Sequence, residues 1–352
     1  MPKARNLGTI LILVLIIILT IIPILATTPP LPFKTKTLIL LASLLALYAL
    51  ITLNNHLTRS AQNNWVHSAP WRPSQETALV TGGSSGIGRQ IVADLAGLGL
   101  KAVVVWDVKK SEEVLSPNVH FYKVDVTSPS YIKRTASLTR KAHGDITILI
   151  NNAGVAYSNP ILNSTEEETR HTFDVNVLSH FWTVKEFLPA MLDANHGHVV
   201  TMASMASFVG SAGLTAYAAS KAALLGVHEG VRQEAKHFYG SGTGDGDGDG
   251  DGCESGRRMR SRVRTSIIHP LYVTTPMTSA LAQNKAGERS HQPFLTAEDV
   301  STAVVKQLVS GDSGQVVVPP SHGVVALLRG VPGWVQELVR DSASKGFLGL
   351  TA

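Results

Sequence analysis

The segment Thr81-Gly82-Gly83-Ser84-Ser85-Gly86-Ile87-Gly88 follows the apolar run Ala78-Leu79-Val80 and opens a helix-length stretch. Glycines at this spacing let a chain leave a strand, turn sharply and enter a helix whose first N–H groups are unpaired. That arrangement brings backbone and helix dipole against a pyrophosphate. A glycine trio alone is weak, but in a strand, turn, helix context it restricts the chain to few architectures. Short apolar runs continue at residues 101–106, 120–126, 146–150, 198–202, 263–268 and 315–318, separated by helix-length segments. With residues 78–81 they predict a seven-stranded, doubly wound parallel sheet of the Rossmann type, in one α/β domain over residues 77–320.

Of 352 residues, 44% are hydrophobic and 16% charged, which excludes a disordered chain or a coiled-coil rod. A single cysteine, Cys253, excludes internal disulfides and zinc sites built on paired thiolates. The net charge of +5 arises from 31 basic residues against 26 acidic ones, with no basic stripe interleaved with aromatics, so no nucleic-acid partner is expected. Arg257, Arg258, Arg260, Arg262 and Arg264 read as a solvated loop flank. The Gly/Asp-rich stretch at 240–256 hints at a calcium loop. Twelve residues from Asp245 falls on Gly256 and from Asp247 on Arg258, so the closing glutamate is missing and the stretch reads as a flexible insertion. His180, His196, His198 and His228 lack metal-ligand spacing, and no metal is expected.

Two uncharged apolar runs, Leu7 to Ala26 and residues 37–53, precede the domain. The first has 20 residues, about 30 Å of helix and enough to span hydrocarbon. Prolines and two lysines between the runs predict a helical hairpin anchor over residues 1–60, with 61–76 as a linker. A cleaved signal peptide is the rival, but the first run exceeds the usual core of roughly 7–15 residues and the second would act as a stop. Lys3, Arg5, Lys34, Lys36, Arg59 and Arg72 nearly balance the positive-inside count, and a cytosolic catalytic domain is favoured. The tail at 321–352 mixes apolar residues with Trp334. It either lies on a bilayer, closes over an active-site mouth or packs on the domain.

Asp107, 19 residues past Gly88, ends the second strand where a carboxylate meets the ribose hydroxyls of NAD and repels the 2′-phosphate of NADP. Lys109 and Lys110 leave NADP open, and a simple loop cap is the alternative. Tyr217 and Lys221 are four residues apart and share a helix face. A free phenol titrates near pH 10, and a neighbouring ammonium lowers that value toward a useful general base. Ser204, thirteen residues before Tyr217, follows the fifth strand and reaches the same substrate oxygen. Met202, Met205 and Phe208 line either pocket or core.

These residues together resemble the short-chain dehydrogenase/reductase family. The resemblance rests on Gly82, Gly86 and Gly88, Val124-Asp125-Val126, Asn151-Asn152-Ala153-Gly154, Asn176, and Ser204 with Tyr217 and Lys221. It implies that Ser84, Ser85 and Ile87 join the glycines in cradling the cofactor, with Asp125 and Val126 on the adenine side and Asn152, Ala153 and Gly154 alongside. It also implies that Lys221 binds the nicotinamide ribose and that Asn176 holds a water linking Lys221 to solvent. After the sixth strand the family's Pro-Gly is replaced by Pro270-Leu271. By the resemblance Val273 pairs with the carboxamide of nicotinamide, and Thr275 with its amide or the pyrophosphate. The hydrophobic N-terminal segment resembles the membrane-bound branch of retinol dehydrogenases and lipid-droplet 17-beta-hydroxysteroid dehydrogenases.

The expectation is an oxidoreductase on the endoplasmic reticulum or a lipid droplet, using NAD with NADP open, on a retinoid, steroid or long-chain alcohol. Membrane lipid is its expected surroundings, and a homo-oligomer is possible within the resemblance. The rivals are an NADPH-dependent carbonyl or 3-ketoacyl reductase and a non-catalytic membrane scaffold.

Overall fold

The computed structural model describes residues 33–67, 70–111, 116–238, 260–278 and 294–351. The first apolar run, Cys253 and the Gly/Asp-rich stretch lie outside the described residues.

Seven strands form one parallel sheet: β1 (Thr77–Thr81), β2 (Ala102–Asp107), β3 (Val119–Lys123), β4 (Ile148–Asn151), β5 (His198–Met202), β6 (Arg264–Pro270) and β7 (Gly314–Val318). Their order is β3-β2-β1-β4-β5-β6-β7, with every neighbouring pair parallel. This is the doubly wound sheet that the alternating runs predict. The strand β3 stops before Val124-Asp125-Val126: the Val124 N–H makes the last bond to β2, at the Asp107 carbonyl (2.9 Å), where β2 itself ends. The strand order reverses between β1 and β4, and ligands of open α/β sheets bind in the crevice at that reversal.

The sheet is buried on both faces. On one lie α2 (Gly86–Gly97) and α7 (Ala297–Val309), packed through Ile91, Leu95, Val300 and Val304 against Val80, Val105 and Ile150. On the other lie α3 (Pro129–His143) and α5 (Ser179–Asp193), where Ile132, Phe187 and Met191 meet Val104, Trp106 and Leu149. Fully burying each such side chain stabilises the fold by about 1.5–3 kcal/mol. The short α4 (Glu166–Phe173) opens with a Thr165/Glu168 capping box and runs through a π-turn, Asp174–Leu178, into α5. The 23-residue α6 (Thr215–His237) follows the loop after β5.

Before the sheet comes α1 (Phe33–Gln62), whose portion Thr37–Gln62 is long and apolar enough to cross a membrane and is mostly unburied. The helix continues nine residues past the apolar run ending at Leu53, and its end is tied to the domain. Arg59 Nε and Asn63 Nδ2 each donate to the buried Asp312 carboxylate, 2.9 Å away. Arg264 donates to the carbonyls of Asn63 (3.0 Å), Val66 (3.0 Å) and Gly311 (3.1 Å). Arg264 is therefore not part of a solvated flank: it is 5% exposed and clasps three carbonyls. The stretch read as a linker begins with residues that this clasp holds.

After β7 the chain forms a 3₁₀ segment, Pro320–Gly330, and α8 (Gly333–Thr351).

Candidate active site

The glycine turn lies at the C-terminal end of β1. Gly82 has φ +63, a conformation that side chains resist, and a Cβ on Gly88 would stand 2.1 Å from the Gly82 carbonyl oxygen. The turn is braced from β4. Asn152 Nδ2 donates to the carbonyls of Thr81 (3.0 Å) and Gly82 (3.1 Å), and Thr81 Oγ1 accepts the N–H groups of Asn152 and Ala153, both at 3.0 Å. Ser85 stands as N-cap of α2 without a side-chain bond, Gly86 and Ile87 are the first helical residues, and Thr275 packs on Gly86.

Asp107 ends β2 beside this turn. Its carboxylate accepts the N–H of Ser84 (3.0 Å) and of Lys109 (3.2 Å), so it caps the loop. The exposed Asp125 carboxylate accepts the N–H (2.9 Å) and hydroxyl (2.7 Å) of Thr127, while Val126 is buried in the core.

Beyond β5 the reactive groups converge. Ser204 is half-buried, and its Oγ accepts the Ala206 N–H at 3.2 Å. The neighbouring Ser204 hydroxyl favours the Tyr217 phenolate, but burial dominates and holds the Tyr217 pKa above its ordinary value. The expectation of a lowered phenol therefore fails in the chain by itself. Burial pulls the Lys221 ammonium down to about 8. Its Nζ donates to the Met202 carbonyl at 2.9 Å and lies 5.7 Å from the Tyr217 ring centroid.

Asn176 sits in the π-turn, fully buried. Its Nδ2 donates to the Val155 carbonyl (2.9 Å) and Ser220 Oγ (3.0 Å), and its Oδ1 accepts the Val155 N–H (2.8 Å). The side chain thus braces the chain after Gly154 against α6. A Cβ on Gly154 would stand 3.4 Å from Asn176 Oδ1 and 3.6 Å from Lys221 Nζ, so this backbone borders both.

Pro270 closes β6, and Val273 is buried and bridged to Leu295. Thr278 Oγ1 donates to the Val273 carbonyl and accepts the Thr275 N–H at 3.0 Å. Met202, Met205 and Phe208 are buried. The tail lies over the loop leading into α6: Ser344 Oγ accepts the Ala212 N–H at 3.1 Å, and the buried Phe347 ring lies against Gly213.

Sequence reasoning missed Asn152 as a brace, and it missed His269, whose Nδ1 lies 3.0 Å from the Ser204 carbonyl oxygen. No motif spacing marks either contact. The histidines set aside as non-ligands are structural: His180, His198 and His228 are buried, His196 pairs with Glu76 at 3.0 Å, and no metal-holding cluster occurs among the described residues.

A nicotinamide dinucleotide fits these residues. The turn has no room for side chains at Gly82 or Gly88, and the buried Ser84 Oγ beside the α2 N-terminus has no partner among the described residues. A glycine cradle at the sheet's reversal, with serine, tyrosine and lysine at the next strand end, defines a nicotinamide-dependent oxidoreductase of the alcohol/carbonyl type.

Residues 76–238 match the model of the short chain dehydrogenase family. Dehydrogenase RED2 of Cochliobolus heterostrophus is 43% identical over 208 residues, 59% of this chain and 78% of that protein. Human 17-beta-hydroxysteroid dehydrogenase 13 is 35% identical over 211 residues, 58% of this chain and 63% of that protein, so under two thirds of its length is spanned. The ligand-free aldohexose dehydrogenase of Thermoplasma acidophilum superposes with a TM-score of 0.58 at 20% identity, covering 72% of this chain and 94% of that one, and shows the fold. The chain belongs to the short-chain dehydrogenase/reductase family and is an NAD(P)-dependent oxidoreductase acting on hydroxyl groups.

Proposed function

We propose that the protein is a membrane-anchored dehydrogenase that prefers NAD and interconverts a lipophilic alcohol with its carbonyl. The alcohol is a retinoid, a steroid or a long-chain alcohol, and the catalytic domain faces the cytosol from the endoplasmic reticulum or a lipid droplet. The observation that carries this reading is the convergence of Ser204, Tyr217 and Lys221 on one strand end, in a chain whose α1 is built to cross apolar surroundings. A bilayer concentrates apolar alcohols, so an anchored enzyme meets them without aqueous transfer. The hydroxysteroid dehydrogenase name of a relative supports the substrate class.

Tyr217 is the general acid/base. In oxidation its phenolate takes the proton of the substrate hydroxyl, and in reduction its hydroxyl returns one to the carbonyl oxygen. Ser204 holds the substrate oxygen beside it. A nicotinamide held by the glycine turn and Lys221 would supply the hydride acceptor for oxidation at the carbinol carbon, or the donor for the reverse. The Lys221 ammonium favours the phenolate and binds the nicotinamide ribose, and Asn176 holds the Val155 backbone and α6 in place for both. Asp107 presents its charge to the ribose and disfavours a 2′-phosphate.

The test is turnover by the membrane fraction, followed by NADH and NADPH fluorescence, on retinol, hydroxysteroids, long-chain alcohols and their carbonyl partners. NAD-selective turnover that disappears in Tyr217→Phe supports the reading. Silence together with absent cofactor binding overturns it in favour of a scaffold.

A further inference from the structure

His269 stands on β6, one residue before its end at Pro270, and is fully buried. Its ring packs at a tilt on Phe208, centroids 4.5 Å apart. A carbonyl only accepts, so the 3.0 Å contact with the Ser204 oxygen requires the proton on Nδ1. Nε2 is then an acceptor, and it is buried with no partner among the described residues. An unpaired buried acceptor is a cost that leucine or phenylalanine here would not carry, so packing alone does not account for an imidazole.

The contact continues a strand pairing where the main chain stops. The β5–β6 ladder passes Met202 opposite Ile268, and Ala203 N–H reaches the Ile268 carbonyl at 2.9 Å. At the next residue the link is made by the His269 side chain. Ser207 N–H also reaches the Ser204 carbonyl (3.0 Å), but that bond belongs to the turn itself and moves with it. The His269 bond ties the turn to the neighbouring strand.

We propose that His269 is a positioning residue: its Nδ1–H holds the Ser204 backbone so that the serine hydroxyl stays in register with Tyr217 and the substrate oxygen. This deepens the reading of Ser204, Tyr217 and Lys221 and rests on it. The titratable group that acts on the ring is Lys221 on α6; the ring in turn acts on His228, also on α6, and Tyr217 acts on the phenol of Tyr272. Burial, opposed by the Ser204 bond and reinforced by Lys221, holds the His269 pKa down to about 4, so above that the ring is neutral and its one proton sits on Nδ1 toward Ser204.

Three substitutions in the full-length, membrane-bound protein test this. His269→Asn keeps an N–H near the Nδ1 position, His269→Gln moves it toward the Nε2 position, and His269→Leu removes it. The readouts are kcat and KM with NAD on retinol, estradiol and a long-chain alcohol, and the ultraviolet phenolate titration of Tyr217, isolated by subtracting Tyr217→Phe. His269→Leu and His269→Gln are expected to lose about 10- to 100-fold in kcat, the scale of a small misplacement, with KM for NAD unchanged. The Tyr217 titration should shift upward in both, and His269→Asn should return both readouts toward the parent. Parent-like kcat and titration in His269→Leu overturn the proposal. So does rescue by Gln rather than Asn, and so does a loss common to all three that follows the melting temperature with an unshifted titration. Ser204→Ala is measured alongside. If it is fully active, the reading of the site itself fails; if it is crippled while His269→Leu is parent-like, only the positioning role fails.

Discussion

The Lys221 ammonium lies 5.7 Å from the centre of the Tyr217 ring, yet its hydrogen bond goes to the Met202 carbonyl at the end of β5. The helix spacing brings the two side chains to one face, and the strand end fixes the cation there. Tyr217→Phe keeps the ring over that cation and removes only the exchangeable proton. We expect kcat to fall by at least about 10²-fold, the scale of general acid/base groups, with cofactor binding intact. Stopped-flow turnover and NADH fluorescence titration check this, and retained turnover would remove Tyr217 from its role.

Asp107→Ala should move the NAD/NADP preference toward NADP and also lower stability, because the carboxylate caps the Ser84 N–H. Losing a hydrogen bond to a charged group costs about 1.5–3 kcal/mol. Ratios of kcat/KM for the two cofactors, read beside a melting curve, separate the two effects. An unchanged ratio with a lowered melting temperature leaves Asp107 as a loop cap alone.

The clasp at the end of α1 sets where the chain can be cut. Removing residues 1–53 should release the protein from membranes while keeping Arg59 and Asn63 on Asp312. Removing residues 1–66 also strips these partners and the Asn63 and Val66 carbonyls held by Arg264, which should cost about 3–5 kcal/mol. Sedimentation and calorimetry distinguish the two truncations. Pelleting of the shorter truncation would move the membrane contact to α8.

Burial holds His180, His198 and His228 down to about 3 and His269 down to about 4. Each is neutral in the fold and takes a proton near pH 6.5 once unfolded. Their contribution is therefore full above pH 6.5 and is lost as pH falls below it, at about 1.4 kcal/mol per histidine per pH unit. His196 has the opposite sign: its hydrogen bond to Glu76 outweighs burial and raises its pKa, so its contribution is full below 6.5 and is lost as pH rises through the raised value. Melting temperatures should fall steeply between pH 6.5 and 5, before most carboxylates titrate. In His196→Ala the loss should be larger at pH 6 than at pH 8. A flat profile from pH 7 to 5 contradicts the neutral buried histidines.

Local covalent geometry makes much of this molecule legible in the sequence alone. Glycine's tolerance of positive φ marks the turn at Gly82, the four-residue helical repeat pairs Tyr217 with Lys221, and uninterrupted β-branched runs mark strands covered on both faces. Each signal lies within a few residues and survives in the unfolded chain. The partners are a different matter. Arg59 meets Asp312 across 253 positions and His269 meets Ser204 across 65. An arginine written into an apparently solvated run, Arg264, is buried because the segment just after α1 supplies two of the three carbonyls it clasps. Whether Asp107 caps a loop, whether Asn176 braces a backbone, and whether the Tyr217 phenol rises or falls depend on burial and on groups brought together only by the closed sheet. Charge, burial and hydrogen-bond partners are properties of the packed chain, and only the tertiary structure decided them.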